Sequence, residues 1–226
     1  MPQFYAKRPP PSTSELRKNK HGATLRPLMS GAVSPKHGFT LKGRTFSWFD
    51  RGNWGLIEIQ KGATSTPDVL AFTINVGVAS RRFSGLSDEQ WRKTRPPMFR
   101  ADYNLRLGFL LDLPTGHKDK WWTLDPTTDL PELAQELLGH ICGVALPEIK
   151  RLISDEGLRD YWLSGQAGGL SERQRLSKLE TLLHAIGPVQ HLSELSSDRA
   201  LALDGQFDEL VIHVLRDAGF TEQPPH

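Results

Sequence analysis

The sequence predicts an α+β fold: an antiparallel β-sheet of about five strands, packed by helices on one face and followed by an α-helical C-terminal extension. Three observations carry this expectation. Residues 39–124 alternate apolar and polar side chains in short runs broken by turn residues, the period-2 signature of strands with one buried face. Residues 129–220 instead repeat apolar residues at helical spacing. The two patterns follow one another and do not interleave, so the chain does not read as βαβ units around a parallel sheet.

Residues 1–22 combine a proline triplet with basic residues and lack apolar periodicity, and read as a flexible basic arm. Leu25, Leu28, Met29 and Val33 fall near helical spacing and predict a short helix over 24–34, stopped by Pro35. Residues 39–49 alternate as a first strand, Asp50-Arg51-Gly52-Asn53 is turn chemistry, and residues 54–61 form the second strand. Residues 70–79 are the third, with Phe72, Ile74, Val76 and Val78 on one face and Thr73, Asn75 and Gly77 on the other. Residues 80–101 form a long polar connection, too long for a tight hairpin. Residues 103–113 predict a fourth strand with Leu105, Leu107 and Phe109 facing the core, and residues 120–124 a fifth.

Asp129 and Glu132 then make a capping box for a helix carrying Leu133, Leu137, Leu138, Ile141 and Val144, broken near Pro147. Residues 155–164 predict a shorter helix. Ser171 with Gln174 caps another, bearing Leu176, Leu179, Leu182, Leu183 and Ile186 on one face. Phe207, Leu210, Val211, Val214 and Leu215 give a last helix ending at Gly219. The expected organisation is an arm (1–22), an α+β sheet domain (23–154) and a helical extension (155–226). That extension either docks on the sheet domain or presents its own surface.

Of the 226 residues, 38% are hydrophobic and 24% charged, enough apolar material for a core. No apolar run approaches 18 residues and the N-terminus lacks an apolar signal region, so neither a membrane span nor a secretory signal is expected. A single cysteine, Cys142, excludes an internal disulfide and a cysteine-based zinc cluster, and fits a reducing cytoplasm. The eight histidines are scattered without helical zinc spacing, so no metal or cofactor is expected. The net charge of +2 hides an asymmetry: residues 1–100 hold 17 Lys and Arg against 6 Asp and Glu, and residues 101–226 hold 11 against 20. Either the two halves attract one another within the fold, or the basic half binds a polyanion.

Two groups of residues are candidate sites. Period-2 alternation collects Arg44, Glu58, Gln60, Thr73, Asn75, Asn104 and Arg106 on the sheet's polar face, joined by Leu56 and by one ring of the Trp121–Trp122 pair, with Trp122 the choice. Of these, Arg44, Glu58, Gln60, Asn75, Arg106 and Trp122 together suit a planar or anionic group; alternatively Arg44, Glu58 and Arg106 are cross-strand ion pairs that solubilise an open face. The connection 80–101 supplies Arg81, Arg82, Arg92, Lys93, Arg95 and Arg100 with Trp91 and Phe99 interleaved. That composition serves single-stranded nucleic acid, an arginine- and tryptophan-anchored protein interface, or a solvated loop. Glu58 and Lys61 echo the acid–lysine pair of metal-dependent nucleases, but three residues apart on a strand they point to opposite faces.

The segments GFTLKGRTF (38–46), WGLIEIQKG (54–62), FTINVGV (72–78), LRLGFLLDL (105–113) and KWWTL (120–124) resemble, in order and spacing, the bacterial family catalogued as domain of unknown function 4304, over about residues 24–155. The resemblance implies a small α+β domain and no established chemistry. The leading expectation for function is a non-catalytic bacterial protein-interaction module in the cytoplasm, its partner another protein. The more specific form of that expectation is an immunity or accessory protein whose acidic helices meet a basic toxin or defence effector. Nucleic-acid binding through the basic loop and arm is the alternative, and a metal-dependent nuclease-like hydrolase using Glu58 the third.

Overall fold

The computed structural model describes Val33, residues 38–114 and residues 119–187. Six strands form one antiparallel sheet: β1 (Thr40–Lys42), β2 (Thr45–Asp50), β3 (Asn53–Lys61), β4 (Leu70–Ala79), β5 (Tyr103–Arg106) and β6 (Trp122–Leu124). They lie in the order β1-β2-β3-β4-β5, and β6 also pairs with β4. β4 is thus the axis of the sheet. One edge carries β3; the other is divided between β6, opposite Leu70–Phe72, and β5, opposite Asn75–Val78. Among the described residues five helices follow or interrupt the strands: α1 (Asp88–Lys93), α2 (Leu130–His140), α3 (Leu146–Leu152), α4 (Asp155–Leu163) and α5 (Glu172–Ile186). The α+β class expected from the sequence is the observed one.

Register assigns the two faces of the sheet. Phe46 lies opposite Ile57, Ile57 opposite Val76, and Val76 opposite Leu105, so this row and the matching alternate residues turn toward the helices. There they share one core with Leu133, Leu137, Ile149, Leu158, Trp162, Leu179 and Leu182. Residues of α4 and α5 therefore bury themselves in the same core as the sheet: the rings of Tyr103 and Tyr161 meet edge to face at 5.3 Å, and Phe83 approaches Trp162 at 5.9 Å. Gly55 lets α3 come close, since a Cβ there would lie 2.5 Å from Ile149 Cγ2.

Several elements differ from expectation. The first expected strand is a hairpin, β1 and β2, because Lys42 pairs with Thr45 and Gly43 supplies the positive φ (+68°) of the turn between them. The fourth strand stops at Arg106 and continues as a 3₁₀ turn, Leu107–Leu110. At Gly108 the backbone of residues 119–120 comes so near that a Cβ would collide with it, and Phe109, expected in the core, is exposed. The helix predicted to break at Pro147 instead passes from α2 to α3 through a π-helical segment, Ile141–Ala145. Proline has no N–H for the preceding turn and so favours such a widening. The connection 80–101 is not a loop throughout: it contains 3₁₀ turns at Arg81–Phe83 and Met98–Arg100 and the capped helix α1. The arm 1–22 and the last helix lie outside the described residues, as does the helix at 24–34 except for Val33, which is helical and fully buried.

Gly55→Ala should force Ile149 to move and cost about 1–3 kcal/mol of stability through overpacking. A shift of the denaturant midpoint at unchanged m-value checks this; an unshifted midpoint would show that α3 does not press on β3.

Candidate functional site

The sheet's polar face assembles part of the first candidate group. Thr45, Glu58, Asn75 and Arg106 form one cross-strand row, and Gln60 sits in the next row opposite Thr73. Thr45 Oγ1 donates to Glu58 Oε1 at 3.2 Å, and Asn75 Nδ2 to Gln60 Oε1 at 2.9 Å. Arg106 Nη1 donates to Asp119 Oδ2 at 2.7 Å and stacks its guanidinium over Trp121. The face is not open along its length. The turn at residues 98–101 covers it where a Cβ on Gly77 would meet Met98 and Ala101, and Leu56 and Ser47 beside it are buried.

Two members of that group lie elsewhere. Arg44 is exposed in the β1–β2 turn, because Lys42 pairs with Thr45 and leaves Gly43 and Arg44 at the tip. Trp122 lies opposite Phe72, on the apolar face, and stacks on that ring inside the core. Its neighbour Trp121 is the ring on the polar side. Glu58 shares its face with Asn75, whereas Lys61 lies opposite Phe72 on the other, so the acid–lysine pair of a nuclease is not brought together.

The basic connection behaves differently. Arg81, Arg82 and Arg92 converge with Arg51 around a cleft of about 480 Å³ at the end of the sheet. Phe49, Gly52, Asn53, Asp88, Trp91 and Asp155 complete its wall. Arg92 stacks over Phe49, 5.4 Å from guanidinium carbon to ring centre, which holds a long cationic side chain in one orientation. Arg81 ion-pairs with Asp88 through Nε. Trp91 and Arg95 of the same candidate group make contacts within the fold. Trp91 is buried and donates from Nε1 to Gly52 O at 2.9 Å, while Trp54 Nε1 donates to the Trp91 carbonyl at 3.1 Å. Arg95 Nη1 donates to the carbonyls of Lys42 and Thr45, fastening the connection to the β1–β2 hairpin.

A buried polar network positions the cleft. The turn Asp50–Asn53 has both central residues at positive φ, Arg51 at +48° and Gly52 at +82°, the geometry that matches strand twist in a two-residue hairpin. It delivers Asn53, only 2% exposed, beneath the cleft floor. Asn53 Nδ2 donates to Ile153 O (2.9 Å) and Asp155 Oδ1 (3.0 Å), and its Oδ1 accepts from the Arg81 backbone N–H at 3.0 Å. Asp155 also accepts from Ser80 Oγ (2.8 Å) and Arg82 Nε (2.8 Å). The Ser80 N–H donates to Asp102 Oδ2 at 2.7 Å, and Lys178 of α5 donates to the other oxygen of Asp102. Burial raises the Asp102 carboxyl above its ordinary value of 3.8, and Asp155 pushes the same way. Lys178 and the Ser80 N–H oppose them without prevailing.

Arg51, Asn53 and Asp155 are the residues the sequence reading missed here. The turn signature around residues 50–53 marks where Arg51 and Asn53 would cluster. Nothing local announces Asp155, which reads as an ordinary acidic residue in a helix's first turn. Among the described residues no group of three or more His, Cys, Asp or Glu is placed to hold a metal ion, and no helix is long and apolar enough to cross a membrane.

The family model for the domain of unknown function DUF4304 matches residues 33–151, and the chain belongs to that family. No curated protein and no solved structure matches the chain. The matched span includes all four cleft arginines and ends before Asp155.

Asp155→Ala should cost about 2–4 kcal/mol, since it strands the buried donors of Asn53 and Ser80. Arg82→Gln should cost less than about 1 kcal/mol, its side chain being 41% exposed. Equal losses in the two variants, measured by chemical denaturation, would refute the difference in burial. Asp102 gives a pH test. A carboxyl raised in the fold binds its proton more tightly there than in the unfolded chain. Its contribution is therefore full below the ordinary value of 3.8 and is lost as pH rises through the folded value. The stability of the protein relative to Asp102→Asn should fall across that interval and then level off.

Proposed function

We propose that the chain is a non-catalytic protein-interaction module whose arginine cleft is the contact surface for an acidic segment of another protein. The observation that carries the reading is the gathering of Arg51, Arg81, Arg82 and Arg92 around one cleft whose two carboxylates, Asp88 and Asp155, are already bound to Arg81 and to Asn53, Ser80 and Arg82. Arginines held in place by an aromatic ring and a hairpin lose little side-chain freedom on binding, the property that makes such residues interface anchors.

An immunity or accessory role beside a toxin or defence effector is the more specific form of this proposal, set in the cytoplasm. The cleft asks for an acidic contact, so a basic toxin would meet a different face, that of the acidic helices. The second reading, nucleic-acid binding, is favoured by the excess of basic residues in the front half, 17 against 6. It predicts affinity that falls steeply with salt.

The test compares the tagged protein with an Arg81→Glu/Arg92→Glu variant, both purified from the organism that encodes the chain. A stoichiometric protein partner retained by the parent and reduced at least tenfold in the equally stable variant is the expected result. A partner held equally by both would remove the cleft from the proposal. A high 260/280 nm ratio that collapses at raised salt would put nucleic acid first.

A further inference from the structure

We infer that the arginine cleft is a phosphoryl site, built for a phosphorylated side chain of the partner. The inference rests on the reading of the cleft as the contact surface and names the chemistry of the contact. Arg81 and Arg82 engage Asp88 and Asp155 through Nε, and among the described residues nothing accepts from their four η nitrogens. Arg92 makes its contact with the face of Phe49 and uses none of its N–H groups there. Among the described residues Arg51 reaches only Asp50, at 3.7 Å. Several guanidinium forks therefore face one space without acceptors. A carboxylate brings two coplanar oxygens, whereas a phosphoryl group brings three in a tetrahedral array and is met by forks from several directions.

Charge and size agree with this. The lining residues carry four positive and two negative charges, and the excess matches a phosphomonoester, which holds about −1.5 to −2 near pH 7. The cleft volume of about 480 Å³ lies within the range of about 300–1,000 Å³ typical of ligand sites, more than one acidic side chain fills. A phosphodiester chain carries one charge per phosphate and calls for a continuing basic track. Arg95, the next arginine along the connection, turns instead to the carbonyls of Lys42 and Thr45.

Titration calorimetry of the full chain with four probes tests the inference: a heptapeptide of neutral residues around a central phosphoserine, the same peptide with glutamate at that position, phenyl phosphate, and a ten-residue oligothymidylate. The expected order is phosphopeptide tightest, phenyl phosphate weaker but measurable, and the glutamate peptide at least tenfold weaker than the phosphopeptide. Arg81→Gln/Arg92→Gln should weaken the phosphopeptide at least tenfold, and Arg95→Gln less than twofold. Circular dichroism and a denaturant midpoint establish that each variant is folded. Equal affinity for phosphoserine and glutamate peptides would overturn the phosphoryl site and leave the protein-interaction reading standing. Oligothymidylate bound a hundredfold more tightly than the phosphopeptide would overturn both, as would the absence of binding by all four probes.

Discussion

The carboxylate of Asp155 ties two distant parts of the chain to the start of α4. It accepts from Asn53 in the β2–β3 turn, from Ser80 at the end of β4 and from Arg82 in the following 3₁₀ turn. The Asn53 amide and the Ser80 hydroxyl are buried and need an acceptor, and losing it is costlier than the bond is favourable, whereas Arg82 is half-exposed. The end of the sheet is therefore determined by satisfaction of polar groups as much as by apolar packing. Asp102 repeats the arrangement one step away, between the Ser80 amide and Lys178 of α5. Through these two carboxylates the helices that follow the sheet decide where the arginines of the preceding connection stand.

The connection between β4 and β5 shows how a polar stretch acquires a fixed shape. Ser87 and Gln90 close a capping box on α1, Trp91 and Trp54 exchange hydrogen bonds with each other's surroundings, and Met98 covers Gly77. Trp91 and Met98 turn inward while Phe99 stays exposed, and Arg81, Arg82 and Arg92 are left outward on one side. The sequence's charge asymmetry thus resolves into two uses. Some basic residues of the first half meet acids of the second, as Arg82 meets Asp155, while others keep their N–H groups for the cleft.

The sheet's faces were legible because period-2 alternation is strong in β3 and β4, where a one-residue slip would expose Ile57, Ile59, Phe72 and Ile74 together. The row Glu58–Asn75–Arg106 follows from the same alternation. Trp122 was misplaced because β6 is only three residues long. Two adjacent tryptophans carry no internal phase, and only pairing with Phe72 reveals which is inside. Arg44 was misplaced because a glycine within an alternating run does not declare whether it bends the chain. The cleft was half legible. Its loop arginines are evident in composition, but their meeting with Arg51 depends on hydrogen bonds spanning 28 to 102 residues, and no local pattern records such a contact.

That span gives the bond between Asn53 and Asp155 a temporal meaning. During synthesis the strands β1 to β4 are complete long before residue 155 emerges, and contacts of such sequence separation close late. Until then the guanidinium groups of Arg51, Arg81, Arg82 and Arg92 lack the anchor that sets their spacing, and they repel one another. The cleft comes into being only with the whole chain from β2 to α4 in place, so an anion bound there marks a molecule folded at least as far as α4.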